Sequence, residues 1–315
     1  MNTNDIERLV DGVHNGDAQA IARTISLIEN EHPAAEALLN ALFPYTGNAY
    51  RIGITGPPGA GKSTLTAQIT RQLRKEGKTV GIIAVDPTSP FTGGAVLGDR
   101  IRMAEFATDP GVFIRSMASR GSMGGLARRT QDVGDVLDAA GKDVIIYETV
   151  GVGQTELDIA EAADTTVVVL VPESGDAIQT MKAGLMEIAD IFVVNKSDRE
   201  GAERIKIELD LMLQLRPTKR GWEPPIVMTV AYKGEGIEEL MKKMEEHLQF
   251  LSREEELHRR RKKRFVKKVR ELIRKKLSDD FWTEARREKF NAILESNHKQ
   301  HPSPYEVMEQ LFRDG

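Results

Sequence analysis

Short apolar runs that alternate with helical stretches across residues 50–230 predict an α/β fold with a mostly parallel sheet flanked by helices. Two further observations agree. The runs at 50–55, 79–86, 112–115, 144–148, 165–171, 191–195 and 226–230 are mostly apolar throughout, as strands covered on both faces must be. The segments that carry chemistry lie just beyond the ends of these runs, where open parallel sheets bind ligands.

The elements divide the chain into three parts. Residues 1–46 are expected to form a helical extension, because Ile6, Leu9, Val10, Ile21, Ile25, Leu38, Leu39 and Leu42 recur at helical spacing before Pro44 and Gly47. Residues 47–250 form the nucleotide-binding domain, closed by a helical stripe of Ile237, Leu240, Met241, Met244 and Leu248. Residues 251–315 form a charged helical arm. Its second stripe, Phe265, Val269, Leu272, Ile273 and Leu277, has too little chain around it to be buried by the arm alone. A last helical piece at 305–312 follows Pro302 and Pro304.

Composition narrows the function classes. Of 315 residues, 40% are hydrophobic and 29% charged, ordinary for a globular protein with a core. The net charge of -4 argues against a surface built for nucleic acid. The basic run 259–264 with Lys267 and Lys268 reads as a solvated helix face, since acidic residues 254–256 adjoin it. The chain has no cysteine, which excludes disulfides, thiolate metal sites and a cysteine nucleophile. No window reaches about 18 consecutive apolar residues, and the acidic N-terminus resembles no targeting peptide. A cytoplasmic protein without membrane association is expected.

Gly56-Pro57-Pro58-Gly59-Ala60-Gly61-Lys62-Ser63 matches the phosphate-binding pattern G-x-x-x-x-G-K-S/T completely, between an apolar strand and a helix-prone run. Glycines let backbone N–H groups point at phosphate oxygens, Lys62 neutralises phosphate charge, the Ser63 hydroxyl ligates Mg²⁺, and the helix start, with Thr64, adds positive potential. Glu148 ends an apolar strand, the usual place for a metal-shell carboxylate beside such a loop. Gly151 follows three residues later and can offer its N–H to a γ-phosphate. Asp86 closes the second run, and Asp99 ends the Gly- and Pro-rich stretch after it. Both are candidates for the Mg²⁺ shell or for holding water, and both read equally as cap or turn residues. Asp86 is expected beside the phosphate loop if its strand neighbours the first.

Asn195-Lys196-Ser197-Asp198 follows another strand and gives N-K-x-D. A carboxylate at Asp198 can accept from guanine N1–H and the 2-amino group, a donor pair that adenine lacks. Asn195 can tie this loop to the phosphate loop, and the Lys196 stem can cover the base. After the next strand, Val230, Ala231 and Tyr232 stand where a Ser-Ala pair often closes over guanine. GTP is therefore the expected substrate and GDP the product.

With these residues in place, the chain resembles the MeaB/ArgK/MMAA family of P-loop GTPases. The resemblance spans almost the whole chain and rests on 56–63, 85–94, 98–100, 115–121, 124–127, 148–154 and 195–198. It implies a G-protein chaperone that gates adenosylcobalamin loading and protects an acyl-CoA mutase, chiefly methylmalonyl-CoA mutase. It also implies a homodimer formed through the C-terminal arm. By matching motif, Ser63, Asp86, Asp99 and Glu148 would surround Mg²⁺. Residues 175–182, including Asp176, Gln179 and Lys182, would couple nucleotide state to the mutase. Read without the family, that segment is a helix start with Asp176 near its N-cap.

The expected chemistry is in-line attack of water on the γ-phosphate, with Lys62, Glu148, Asp99 and Gln154 as the catalytic candidates. Val152 follows Gly151, where Ras-like enzymes use a water-orienting Gln, so slow intrinsic turnover is expected. Gln154 can reach the water only if its loop reorders. An arginine can come in cis from Arg100, Arg102, Arg115 or Arg120, or from the partner. Two rival classes are weighed. An NTP-dependent kinase, the older ArgK description, needs an acceptor site that the sequence does not display. A metal-insertion GTPase needs Cys/His ligand sets near the switches, and the absence of cysteine with scattered histidines speaks against it.

Overall fold

The computed structural model describes residues 1–86, 103–118, 125–149, 155–174, 183–214, 221–295 and 302–313. Two compact units divide at 260/261, the first spanning 1–260 and the second 261–315.

The first unit is built on a seven-stranded sheet. Its strands are β1 (Tyr50–Thr55), β2 (Val80–Asp86), β3 (Val112–Ala118), β4 (Val144–Glu148), β5 (Thr165–Leu170), β6 (Ile191–Asn195) and β7 (Ile226–Thr229). They lie in the order β3-β2-β4-β1-β5-β6-β7, and every pairing is parallel. Successive residues point to opposite faces, so both must be apolar when both faces are covered. Ile82, Ile146, Val167 and Val193 enter one core, packed under α4 (Lys62–Lys75) through Leu65 and Ile69 and under α9 (Ile237–Arg253) through Leu240 and Met244. Ile83, Ile145 and Tyr147 enter a second core, with α5 (Gly125–Ala139) and α6 (Thr155–Ala162). Val168, Phe192 and Val194 pack against α8 (Ala202–Gln214). A short helix, α7 (Ala183–Ile188), precedes β6.

The extension comprises α1 (Thr3–His14), α2 (Ala18–Glu29) and α3 (Ala35–Leu42). Asn2 and Asp5 form a reciprocal capping box on α1, and Asp17 caps α2. Val13, Ile21, Ile25 and Leu42 join the second core, so the extension is continuous with the domain. Its junction is pinned by Asp138, which accepts from the N–H groups of Gly47, Asn48 and Ala49 and pairs with buried Arg51 at 2.9 Å.

Strand order corrects one expectation. Strand β2 pairs with β3 and β4, and β4 lies between it and β1. Asp86 therefore closes a strand that does not neighbour the phosphate loop's own strand. Glu148 stands in register with Ile54 of β1 on one side and Ala84 of β2 on the other.

The second unit contains most of α10 (Glu256–Phe281), then α11 (Glu284–Glu295) and α12 (Pro304–Arg313). Its last two helices are fastened by aromatic contacts: Phe281 lies 4.6 Å from Phe312 and Trp282 5.5 Å from Phe290. The Arg286 guanidinium sits 4.6 Å over the Phe281 ring and donates to the Leu311 carbonyl at 3.2 Å. Leu272, Ile273 and Leu277 on α10 remain exposed. Among the described residues, no helix is long and apolar enough to cross a membrane.

Candidate functional site

The phosphate loop connects β1 to α4. Gly61 supplies the helix N-cap in a left-handed conformation, φ +85°. A Cβ there would lie 2.4 Å from Asn195 Nδ2, and one on Gly56, φ +138°, would lie 2.0 Å from the Val169 carbonyl oxygen. The loop thus presses against β5 and β6, which only glycine allows. Lys62 is buried, and its ammonium donates to the carbonyls of Gly56 at 2.8 Å and Pro57 at 3.0 Å. That arc holds the charge inside the loop, where phosphate oxygens would lie.

Ser63, one residue into α4, is buried and donates its hydroxyl to Glu148 Oε1 at 2.5 Å. The sequence places these two 85 positions apart. The β1–β4 pairing joins them. Thr149 continues the seam: its N–H donates to the Ile54 carbonyl at 3.1 Å and its hydroxyl to Thr55 at 3.0 Å. A hydroxyl and a carboxylate are hard oxygen donors and fit Mg²⁺. Among the described residues, no three His, Cys, Asp or Glu side chains converge.

The N-K-x-D loop follows β6. Asn195 is buried and bridges three segments. Its Nδ2 donates to the Ala60 carbonyl at 2.8 Å, and its Oδ1 accepts from the Ala231 N–H at 3.0 Å and the Thr229 hydroxyl at 3.1 Å. Ser197 N–H donates to the Thr229 carbonyl at 3.0 Å. Lys196 holds φ +57°, a left-handed conformation costing a non-glycine residue roughly 1–2 kcal/mol. Such strain persists where neighbouring contacts over-determine the backbone, and the bonds of Asn195 and Ser197 do so here. At the outer edge, the Tyr232 hydroxyl donates to Asp198 Oδ2 at 2.8 Å.

The structure therefore brings Gly56, Pro57, Gly61, Lys62, Ser63, Glu148, Asn195, Ala231, Tyr232 and Asp198 into one connected site. Val230 N–H is spent on the Glu235 carbonyl at 3.1 Å. Asp99, Gly151, Gln154, Asp176, Gln179 and Lys182 lie outside the described residues, as do Arg100, Arg102, Arg120 and the Asp86 side chain. Arg115 is removed as a source of a cis arginine. Its guanidinium pairs with Glu29 and donates to the Ser26 hydroxyl at 3.2 Å, tying β3 to α2.

The sequence reading missed a chain of contacts on α4. Gln68 Nε2 donates to the Ala231 carbonyl at 2.7 Å, and Arg71 donates to Gln68 Oε1 at 2.5 Å. Arg71 also grips both Glu105 oxygens at 2.7 and 2.8 Å. The only prior signal was helical spacing: residues 68 and 71 share a face one turn apart.

This geometry can be set beside known proteins. The model of the methylmalonyl Co-A mutase-associated GTPase MeaB family matches residues 21–286. The chain belongs to the MeaB family. It is a GTPase, and it is 50% identical over 312 residues to a protein of Pyrococcus abyssi named as a GTPase, covering 98% of this chain and 96% of that one. It is 40% identical to the GTPase ArgK of Escherichia coli over 233 residues, 71% of this chain and 70% of that protein. It is 35% identical to the mouse mitochondrial methylmalonic aciduria type A homolog, across 76% of this chain and 62% of that protein. The crystal structure of a protein named LAO/AO transport system kinase superposes with a TM-score of 0.74 at 28% identity, covering 100% of this chain and 98% of that one.

Proposed function

We propose that this MeaB-family GTPase is a G-protein chaperone of an adenosylcobalamin-dependent acyl-CoA mutase, methylmalonyl-CoA mutase foremost. In this reading it works in the cytoplasm, gates cofactor loading and protects the mutase from inactivation. The observation that carries the reading is the family match over residues 21–286, since that family is described by its association with the mutase. The connected site supports the nucleotide part.

In the proposed cycle the loop amides and Lys62 hold the β- and γ-phosphates, and Asp198 takes the guanine donors. Ser63 and Glu148 would hold Mg²⁺, which supplies charge neutralisation on the phosphates when bound. Asp86 and Asp99 remain proposed members of that set. Asn195 keeps the base loop and phosphate loop at a fixed separation, so that base recognition and phosphate positioning act on one rigid frame. Gly151 and Gln154 follow Glu148 closely in sequence, so the carboxylate that meets Ser63 is a few residues from the segment proposed to sense the γ-phosphate. Val152 in place of a water-orienting Gln is the basis for slow intrinsic turnover. Residues 175–182 would carry the nucleotide state to the mutase. Leu272, Ile273 and Leu277 would be covered in a homodimer, as an exposed apolar stripe on a long helix favours.

A pull-down with the candidate mutase, in GDP against a non-hydrolysable GTP analogue, tests the reading. Retention that changes with nucleotide is expected. Absence of binding to any cobalamin mutase in both nucleotides refutes it. The kinase reading draws on the similarity to the protein named LAO/AO transport system kinase. Transfer of labelled γ-phosphate to an amino acid or a binding protein would favour it, and release as free phosphate favours the GTPase cycle.

A further inference from the structure

The loop after β7 is more tightly built than closure over a base requires. Val230 and Glu235 form an antiparallel bridge. Lys233 N–H returns to the Val230 carbonyl at 2.9 Å, and Gly234 N–H to the Ala231 carbonyl at 3.2 Å. Gly236 holds φ +77°, and a Cβ there would lie 2.1 Å from the Met228 carbonyl oxygen. The turn packs directly on the end of β7 at that point, closer than a residue with a side chain allows. Tyr232 and Lys233 are thereby fixed at its tip.

Both tip residues face one carboxylate oxygen. The Tyr232 hydroxyl donates to Asp198 Oδ2 at 2.8 Å, and Lys233 Nζ lies 3.9 Å from the same atom. Lys233 also sits 5.3 Å from the centroid of the Tyr232 ring, a cation over an aromatic face. Yet Tyr232 is 63% exposed, so burial does not explain where the ring lies. Asp198 has an acceptor capacity of about four lone-pair sites, of which the tyrosine takes one. Among the described residues no donor reaches Oδ1, which stays open to a base, and Oδ2 keeps acceptor capacity beside the tyrosine and the more distant Lys233 ammonium.

We infer that Tyr232 is a positioning residue for guanine selectivity: its hydroxyl sets the plane of the Asp198 carboxylate so that both oxygens address the two donors of guanine. The inference rests on the reading of Asp198 as the base acceptor. An unfixed carboxylate rotates about its terminal torsion, which is soft and broad. Fixing it removes that freedom before the base arrives, which is how preorganisation raises affinity. The benefit is largest for a ligand that needs both oxygens aligned. Guanine presents N1–H and the 2-amino group, hypoxanthine presents N1–H alone, and adenine presents neither.

The test compares GDP, IDP and ADP binding to the full chain and to Tyr232→Phe, with melting temperature as the folding control. Tyr232→Phe should weaken GDP by about threefold to tenfold, the scale of one exposed charge-assisted hydrogen bond. IDP should weaken by a smaller factor, ADP should stay the same, and the melting temperature should be unchanged. Unchanged GDP affinity overturns the inference. Tighter GDP binding also overturns it, since the tyrosine would then be a competitor. Equal losses for all three nucleotides reduce Tyr232 to a structural role. The background variant Asp198→Ala separates the two levels: it should lose the preference for GDP over IDP, and adding Tyr232→Phe should then change nothing. If Asp198→Ala keeps that preference, Asp198 is not the base acceptor and the inference falls with it. If the preference is lost but Tyr232→Phe still weakens binding further, only the role given to Tyr232 fails.

Discussion

Replacing Asn195 by Ala takes away one buried side chain and strands three partners on two segments, the phosphate loop and the end of β7. The Ala60 carbonyl loses a donor at 2.8 Å, the Ala231 N–H loses an acceptor at 3.0 Å, and the Thr229 hydroxyl loses one at 3.1 Å. Each buried group left unsatisfied costs about 1–3 kcal/mol. The hydroxyl can turn elsewhere, and water can enter the space left by the amide, so the sum falls to about 2–4 kcal/mol. For a unit of this size, roughly 2–4 °C of melting temperature accompanies each kcal/mol, so Asn195→Ala should melt about 4–16 °C lower. The functional loss should exceed what instability alone produces, because the base loop and phosphate loop no longer share a brace. Differential scanning calorimetry and GDP titration at a temperature where both proteins are folded measure the two effects separately. A melting temperature within about 2 °C of wild type, roughly the effect of 1 kcal/mol or less, would refute the bracing argument. So would GDP affinity that is intact in the folded variant.

The remaining predictions concern charge, pH and association. Lys62→Ala should abolish GTP hydrolysis while the protein stays folded, and unchanged phosphate release would sink the loop assignment. His247 is fully buried beside Trp222, and its Nδ1 lies 2.8 Å from the Thr165 hydroxyl. Burial holds its pKa down at about 4, below the ordinary 6.5. Because the folded value is depressed, the unfolded chain takes up the proton first. The associated stability is present above about pH 6.5 and is lost as pH falls from there toward about 4, by up to about 3 kcal/mol. Urea unfolding across that window should show the decline, and a flat profile would contradict the buried neutral imidazole. Leu272→Glu with Leu277→Glu should turn the proposed homodimer into a monomer in light scattering without altering GTP hydrolysis, and an unchanged dimer would move the interface off this stripe.

Much of the site is legible along the chain because its parts are local. The phosphate loop needs glycines, a lysine and a hydroxyl in consecutive positions, since a single turn between strand and helix must place all of them. The N-K-x-D loop is local for the same reason. Strand boundaries were also readable: the expected 50–55, 144–148 and 191–195 coincide with β1, β4 and β6. The expected third strand, 112–115, was too short, because β3 runs to Ala118 through residues with weaker apolar character.

What the sequence determined by itself was the kind of fold and where the G-x-x-x-x-G-K-S and N-K-x-D patterns fall in it, all written in short-range patterns. Tertiary structure alone decided the neighbours. A strand's composition reports whether its faces are covered but not which strand lies beside it, so only the assembled sheet seats β4 between β1 and β2 and gives Ser63 its contact with Glu148. Long side chains behave likewise. Arg115 was as eligible for the nucleotide as for the surface until α2 brought Glu29 to it, and Tyr232 was a loop residue until the turn after β7 set its hydroxyl on Asp198. These contacts join residues 34 to 86 positions apart, a distance over which propensity carries no information and packing carries all of it.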